Sequence, residues 1–319
     1  MKYEVREEAR RLCRDYRHSS SFTFHFSFRK IVAAYYWAAY SLHHALCLRP
    51  GEPLKNSKLV VIGSYRTGGA GKTPFSLWLA KNLLAHGKTV AVLCHEYAYD
   101  EIAFLKSELK NFKYASVIGT RNRYATAHHL DKAEAAEFKG APDYIICDDG
   151  FEDSRLRPFK IFRLDWEKEP TDINELVPAG KFRSLKQDHR RDEAITTAVR
   201  CYGTSPDVIF QIDSIKNSAG EFPKYRQSIA VCGLGDPGRF IRDLERSEYP
   251  IQETVICPDH DRNFSRKLLK VIQKNPQKNI FISEKDSYRL PAELLSNPQL
   301  FVAKQKISVL KDTYLRALL

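Results

Sequence analysis

Residues 58–84 read KLVVIGSYRTGGAGKTPFSLWLAKNLL, and this stretch limits the fold most tightly. An apolar strand runs into a glycine-rich turn, then into Gly71-Lys72-Thr73 and an amphipathic helix. In such a turn the backbone N–H groups and the helix N-terminus face phosphate oxygens. Gly68, Gly69, Ala70 and Gly71 would line the cradle, Lys72 would neutralise phosphate charge, and the Thr73 hydroxyl would ligate Mg²⁺. Pro74 suits a first helical turn, where its missing N–H has no intrahelical use. The strict phosphate-loop pattern asks for glycine five residues before Gly71, and that residue is Arg66. A glycine-rich turn that binds nothing is the alternative, and the lysine and hydroxyl at the required places argue against it.

Further along, apolar strands alternate with helical stretches: KTVAVLC, ATAHHLDKAEAAEFKG, DYIICDD and FKIFRLD. Such alternation predicts an α/β fold of the P-loop NTPase kind, with a mostly parallel sheet flanked by helices. Residues 166–227 read as irregular and polar. From Ser228 a second α/β series begins (SIAVCGLG, a helix from Pro237, ETVICPD, a helix from about Ser265, NIFISEKD, LFVAKQ). The expected organisation is a basic extension over 1–26, a helix over 27–50, a P-loop core over 51–227 and a smaller α/β lobe over 228–319. The sequence leaves open whether the last helix packs back on the core.

The strand ending in Cys147-Asp148-Asp149-Gly150 brings two carboxylates to the carboxyl edge of the first sheet, beside the phosphate loop. One of them would hold a metal directly or through water; a metal-free Asp-Asp-Gly turn is the plain alternative. A phosphate loop with a metal site argues for phosphoryl transfer or nucleoside triphosphate hydrolysis.

The net charge of +12 suits an anionic membrane surface, phosphorylated small molecules or nucleic acid. No contiguous basic–aromatic stretch favours nucleic acid, so no nucleic-acid partner is expected. Seven scattered cysteines with no C-x-x-C pair exclude zinc-ribbon and thioredoxin-like readings. Several sit in apolar runs, as buried reduced thiols do.

Ahead of the phosphate loop, residues 1–30 carry Arg6, Arg10, Arg11, Arg14, Arg17, Arg29 and Lys30. Then IVAAYYWAAYSLHHALCL, Ile31 to Leu48, holds no Asp, Glu, Lys or Arg. As a helix it would be about 27 Å long, the short limit for crossing a bilayer. Tyr35, Tyr36, Trp37 and Tyr40 suit the headgroup layer. A cleaved leader and a buried core helix are alternatives; a helix lying in or dipping into the membrane, with its basic flank on the cytosolic side, is the expectation.

Six motifs in order, GSYRTGGAGKTP, IICDDGFEDSRL, LVPAGKFRSL, CGLGDPGRF, PDHDRNF and ISEKDSYRL, resemble the tetraacyldisaccharide 4′-kinase family. The likeness runs from about residue 27 to beyond 290. That family's phosphate loop also lacks glycine at the Arg66 position, and Gly63 matches its earlier glycine. The resemblance implies a two-lobed kinase on the cytoplasmic face of the inner membrane. It would use ATP and Mg²⁺ to phosphorylate the 4′-hydroxyl of the tetraacyldisaccharide 1-phosphate precursor of lipid A, a glycolipid.

By the same resemblance, Asp100 in YDE would be the base, assisted by His260 in PDHD, with Lys72 on the phosphates. Glu101 would join Thr73, Asp148 and Asp149 around the metal. Arg183 would face phosphate, and Arg121 and Arg123 would bind the acceptor's phosphate. Departures fall mainly on the acceptor side: CHEYA for the family's SRGYG, Tyr99 for the glycine before Asp100, Glu152 and Asp153 for Gln-His, and Ser184 for an acidic residue. A diverged kinase of another glycolipid and a nucleotide-binding membrane scaffold are therefore the alternatives.

Overall fold

The computed structural model describes residues 28–46, 50–132, 140–224, 227–247, 249–259, 261–311 and 313–319. The basic extension 1–26, Cys47 and His260 lie outside them. The chain divides into two compact units. One holds residues 28–46 with Tyr65–Thr67 and Glu169–Arg191; the other holds Pro50–Ser64, Gly68–Lys168 and Asp192–Leu319.

In the first unit, α1 spans residues 28–46. Ala33 is buried, and the Tyr36 hydroxyl donates to the Arg183 carbonyl at 2.8 Å. Phe28, Ile31, Tyr35, Leu42 and Leu46 are exposed. Their steps of three, four and seven residues put them on one helical face. Among the described residues no helix is long and apolar enough to cross a membrane. Tyr65 meets His189 edge-on, and Thr67 N–H donates to the Lys181 carbonyl.

The second unit carries two sheets. The first is built from β1 (Lys58–Gly63), β2 (Val90–His95), β3 (Ala115–Thr120), β4 (Tyr144–Asp148), β5 (Lys160–Asp165) and β6 (Thr196–Arg200), in the order β3-β2-β4-β1-β5-β6. Every neighbouring pair is parallel. The central strands β1 and β4 are apolar runs buried on both faces, as a helix-covered parallel sheet requires. Helices α2 (Lys72–Ala85), α3 (Tyr99–Leu109) and α4 (Arg123–Asp131) belong to this half, with Phe75, Leu79 and Leu83 of α2 fully buried.

The second sheet has the order β7-β11-β10-β8-β9, from β7 (Val208–Lys216), β8 (Ser228–Cys232), β9 (Ile251–Ile256), β10 (Asn279–Ser283) and β11 (Leu300–Val309). It is parallel except for the β7–β11 pair. Helices α5 (Pro237–Arg246) and α6 (Phe264–Lys274) and the short α7 (Glu284–Ser287), α8 (Ala292–Leu295) and α9 (Thr313–Arg316) complete it. The β7–β11 ribbon serves both halves: Val208 and Phe210 join the first core, Ile215 and Ala303 the second. Tyr314 of α9 and Leu318 also pack into the first core.

Residues 166–227, expected to be irregular, contain β6 and β7. In β7 the buried Val208 and Phe210 alternate with the exposed Ile209 and Gln211, a half-buried pattern that Ile209 and the polar surroundings conceal. The cysteines Cys94, Cys147, Cys201, Cys232 and Cys257 are buried free thiols, and burial pushes Cys147 up to about 12.

Asp207, just before β7, ties three strands together. It accepts from Arg200 N–H at 2.9 Å and from Lys311 Nζ at 2.5 Å, and its carbonyl accepts from Leu310 N–H. Burial alone would raise its pKa, but the bonds from Lys311 and Arg200 outweigh it and hold the carboxyl well below the usual range. Its stabilising effect is therefore complete above the unfolded pKa, near ~4, and is lost as pH falls through the lower folded value. Asp207→Asn is expected to cost about 1–3 kcal/mol at pH 7. In thermal melts the gap to the parent protein should narrow steadily between pH 5 and pH 2.

Candidate active site

Leaving β1, the chain makes the turn that the sequence motif demands. Gly71 caps α2 with φ 77° and ψ 22°, the left-handed region. A side chain there would be strained and would run into the Phe210 ring. The turn is clasped through its carbonyls. Trp166 Nε1 donates to the Ala70 carbonyl at 2.9 Å, and Arg239 Nη1 donates to the Gly69 carbonyl at 2.5 Å. The Arg239 guanidinium lies 4.8 Å from the Trp166 ring centroid. These clamps use acceptors, the opposite polarity from the N–H donors that a phosphate needs.

The β1–β4 register, with Ile62 opposite Asp148, brings the two aspartates to this turn. Thr73 Oγ1 donates to Asp148 Oδ2 at 2.8 Å, and Ser76 Oγ donates to Oδ1 at 2.9 Å. Asp148 is 2% exposed. Burial pushes its pKa up to about 7; the Glu101 charge adds to this, and the Thr73 bond opposes it. Asp149 has φ 55° and is the one non-glycine residue in the left-handed region among the described residues. It pairs with Lys72, Nζ to Oδ1 at 2.9 Å.

Asp100 and Glu101 stand in the first turn of α3. Asp100 is fully buried and accepts at Oδ2 from Arg289 Nε at 3.0 Å and Nη2 at 2.5 Å. Lys285 Nζ lies 3.0 Å from Glu101 Oε1, 3.6 Å from Asp259 Oδ1 and 3.7 Å from Asp100 Oδ2. Burial would lower the Lys285 pKa, but these carboxylates outweigh it and raise it.

Arg123 and Arg121 part company. Arg123 is half-buried; burial would lower its pKa, but the Asp149 and Asp148 carboxylates help to raise it, and its Nε has no hydrogen-bond partner. Arg121 is exposed and pairs with Glu96. In the first unit, Arg183 Nη2 donates to the Thr67 carbonyl at 2.6 Å.

The structure thus brings Thr73 to Asp148, Lys72 to Asp149, and Glu101 to Lys285. Sequence reasoning missed Ser76, Arg239, Lys285 and Arg289. The last two lie in ISEKDSYRL and Arg239 in CGLGDPGRF, motifs whose order was informative while the partners of each side chain were not. Among the described residues no group of three or more His, Cys, Asp or Glu side chains is arranged to hold a metal. The donors present fit Mg²⁺ nonetheless. A buried carboxyl pushed up to about 7 beside a hydroxyl gives up its proton readily when a cation arrives, and Mg²⁺ in nucleotide sites takes one or two carboxylates with phosphate and water oxygens.

Comparison with known proteins gives one consistent result. The family described as "Tetraacyldisaccharide-1-P 4'-kinase" matches residues 28–319. The chain is 24% identical over 271 residues to a tetraacyldisaccharide 4'-kinase of Haemophilus influenzae, covering 80% of each chain. It is 27% identical over 254 residues to one from Parvibaculum lavamentivorans, covering 73% of each. In fold it is similar to LpxK from Aquifex aeolicus, solved in complex with ATP, with a TM-score of 0.58 at 21% identity, covering 94% of this chain and 97% of that one.

Proposed function

Because the chain belongs to the tetraacyldisaccharide 1-phosphate 4′-kinase family, we propose that the phosphate loop and the paired aspartates are the seat of its phosphoryl transfer. The protein is an ATP-dependent kinase of lipid A biosynthesis, and it phosphorylates the 4′-hydroxyl of the tetraacyldisaccharide 1-phosphate. The observation that carries the site assignment is the pairing of Lys72 with Asp149 and of Thr73 with Asp148 at the end of β4.

ATP enters with its phosphates on the N–H groups of Gly68 to Thr73. Lys72 leaves Asp149 for the phosphates, which offer it more negative charge. Asp148, once deprotonated, and Thr73 Oγ1 would hold Mg²⁺, and Asp149 and Glu101 would add negative charge beside it. When bound, the metal would supply neutralisation of the phosphate charge. Arg123, its Nε without a hydrogen-bond partner, faces the same anionic centre. The acceptor 4′-oxygen attacks the γ-phosphorus, the bond to the β–γ bridging oxygen breaks, and ADP leaves. The hydroxyl proton passes to Asp100, helped by His260. A positioned base of this kind contributes roughly 10²–10⁴ in rate.

The acceptor's chains stay in lipid, so the enzyme works at a membrane surface, the cytoplasmic face of the inner membrane. The exposed apolar face of α1 supports this, since burying each large apolar side chain yields about 1.5–3 kcal/mol. Ile31→Glu with Leu42→Glu is expected to reduce co-sedimentation with anionic vesicles at least tenfold, with the melting temperature little changed. Undiminished binding would remove α1 from the membrane contact.

The function itself is tested with [γ-³²P]ATP, Mg²⁺ and tetraacyldisaccharide 1-phosphate in detergent micelles. Labelled lipid carrying the new phosphate at the 4′ position is the expected product. ATP binding with no label on this lipid would sink the assignment; label on a different glycolipid would point to the diverged kinase instead.

A further inference from the structure

Arg289 sits where the loops of the second sheet meet. It follows α7, and its side chain is 3% exposed. Besides its two bonds to Asp100 Oδ2, Nη1 donates to the Gly233 carbonyl at 3.3 Å, just beyond β8. Nη1 also lies 3.4 Å from Asp286 Oδ1, and Nη2 lies 3.6 Å from Asp259 Oδ1, beyond β9. Asp286 is anchored in turn: its Oδ2 accepts from Ser283 Oγ at 2.7 Å and from Gly233 N–H at 3.2 Å. One guanidinium therefore joins the C-terminal ends of β8, β9 and β10 to the first turn of α3, which belongs to the first sheet.

From this geometry we infer that Arg289 is a positioning residue for the base: it fixes the heading of the Asp100 carboxylate through the Asp286–Gly233 frame of the second sheet. The inference rests on the reading of Asp100 as base. Both guanidinium donors fall on one carboxylate oxygen, Oδ2. Donation from Nε and Nη2 together pins Oδ2 between two donors held in one rigid plane, which a freely rotating ammonium does not do. The restraint comes from buried groups: Asp100 and Asp286 are fully buried, and Ser283 is 5% exposed. An unanchored carboxylate misplaced by about 1 Å can lose about 10²-fold in rate with its chemistry otherwise intact. Arg289 also approaches Asp259, the chain neighbour of His260, so the same side chain reaches both segments that the mechanism draws upon.

Lys285 has a different part. Its ammonium is shared among Asp100, Glu101 and Asp259, each at 3.0 Å or more, and it donates a hydrogen bond to Glu101. It neutralises the cluster without orienting one oxygen. Arg289 is thus separable from it by substitution.

The test is steady-state kinetics on the full chain with MgATP and tetraacyldisaccharide 1-phosphate, for Arg289→Gln, Arg289→Lys, Asp100→Ala and the double variant Asp100→Ala/Arg289→Gln. Arg289→Gln is expected to lower kcat about 10²-fold while KM for ATP moves less than about threefold. Arg289→Lys, with its charge retained and its fork lost, should recover no more than about tenfold of that. In the Asp100→Ala background, adding Arg289→Gln should cost less than about threefold, because the group it positions is gone. Equal losses from Arg289→Gln in the presence and absence of Asp100, or full kcat in Arg289→Lys, would overturn the inference. If Asp100→Ala itself keeps full kcat, the reading of the base fails instead, and the two failures are told apart. Should Arg289→Gln not fold, Arg289→Lys alone decides: an unchanged kcat overturns the inference, and a kcat loss at constant KM for ATP supports it.

Discussion

Lys72→Ala is expected to lower kcat for transfer to the disaccharide lipid by about 10²–10³-fold, the scale for removing one preorganised charge contact from a phosphoryl-transfer site. The ammonium is held 2.9 Å from Asp149 Oδ1. That pairing keeps it at the first residue of α2, where nucleotide phosphates arrive. The fold should survive the change. The Asp149 side chain retains 23% exposure, so water can solvate it when the ammonium is gone, and the stability cost should stay within about 1 kcal/mol. Lys72→Arg should rescue little. A planar fork is wider than the point charge it replaces, and the Lys72 side chain is only 10% exposed. Initial-rate kinetics with thermal melts on the three proteins check this; near-normal kcat in Lys72→Ala would remove Lys72 from the transfer step.

The second large effect has opposite signs in activity and stability. Asp148→Asn should cut kcat by about 10²-fold or more, because a neutral amide attracts Mg²⁺ far less than a carboxylate. The same substitution should raise the melting temperature at pH 8. Asp148 is a buried acid pushed up to about 7, so ionising it works against the folded state. By linkage, the parent protein is most stable below the unfolded value, about 4, loses stability as pH rises from there through about 7, and levels off above it. The amide carries no such charge, and the Thr73 and Ser76 hydroxyls can still bond to it by turning over. The stability gap should be largest, a few °C, at pH 8, narrow as pH falls below about 7, and close near pH 4, where the acid is protonated in both states. A functional carboxylate kept at a cost in stability is the usual pattern at active sites. A melting temperature lowered at pH 8 would contradict the burial argument, and unchanged kcat would contradict the metal assignment.

Much of the fold was legible because its signals are local. The apolar run of β1, the glycines before Lys72 and the apolar strand ending in Asp148 each announce themselves within ten residues. β7 was not legible: its alternation of Val208, Phe210 and Ile212 lies in a polar stretch, and its strand character comes from pairing with β11, almost a hundred residues away in the chain. The site divides in the same way. Lys72, Thr73 and Asp148 follow from motif and sheet-edge reasoning. The Asp100–Arg289 pair spans 189 positions, and no periodicity links the two; only the folded chain brings them together. Asp149 gave no sign of its positive φ, since an aspartate before glycine is ordinary in a turn.

The central claim is that ATP takes Lys72 from Asp149 and places its terminal phosphate between Thr73–Asp148 and Asp100. A crystal structure with a non-hydrolysable ATP analogue and Mg²⁺ tests it most directly. The account predicts Lys72 Nζ within about 3 Å of phosphate oxygens, a hydrogen-bonding distance. It predicts Thr73 Oγ1 on the metal and the γ-phosphate facing the first turn of α3. Lys72 still bound to Asp149, with the nucleotide seated away from Gly68–Thr73, would contradict it.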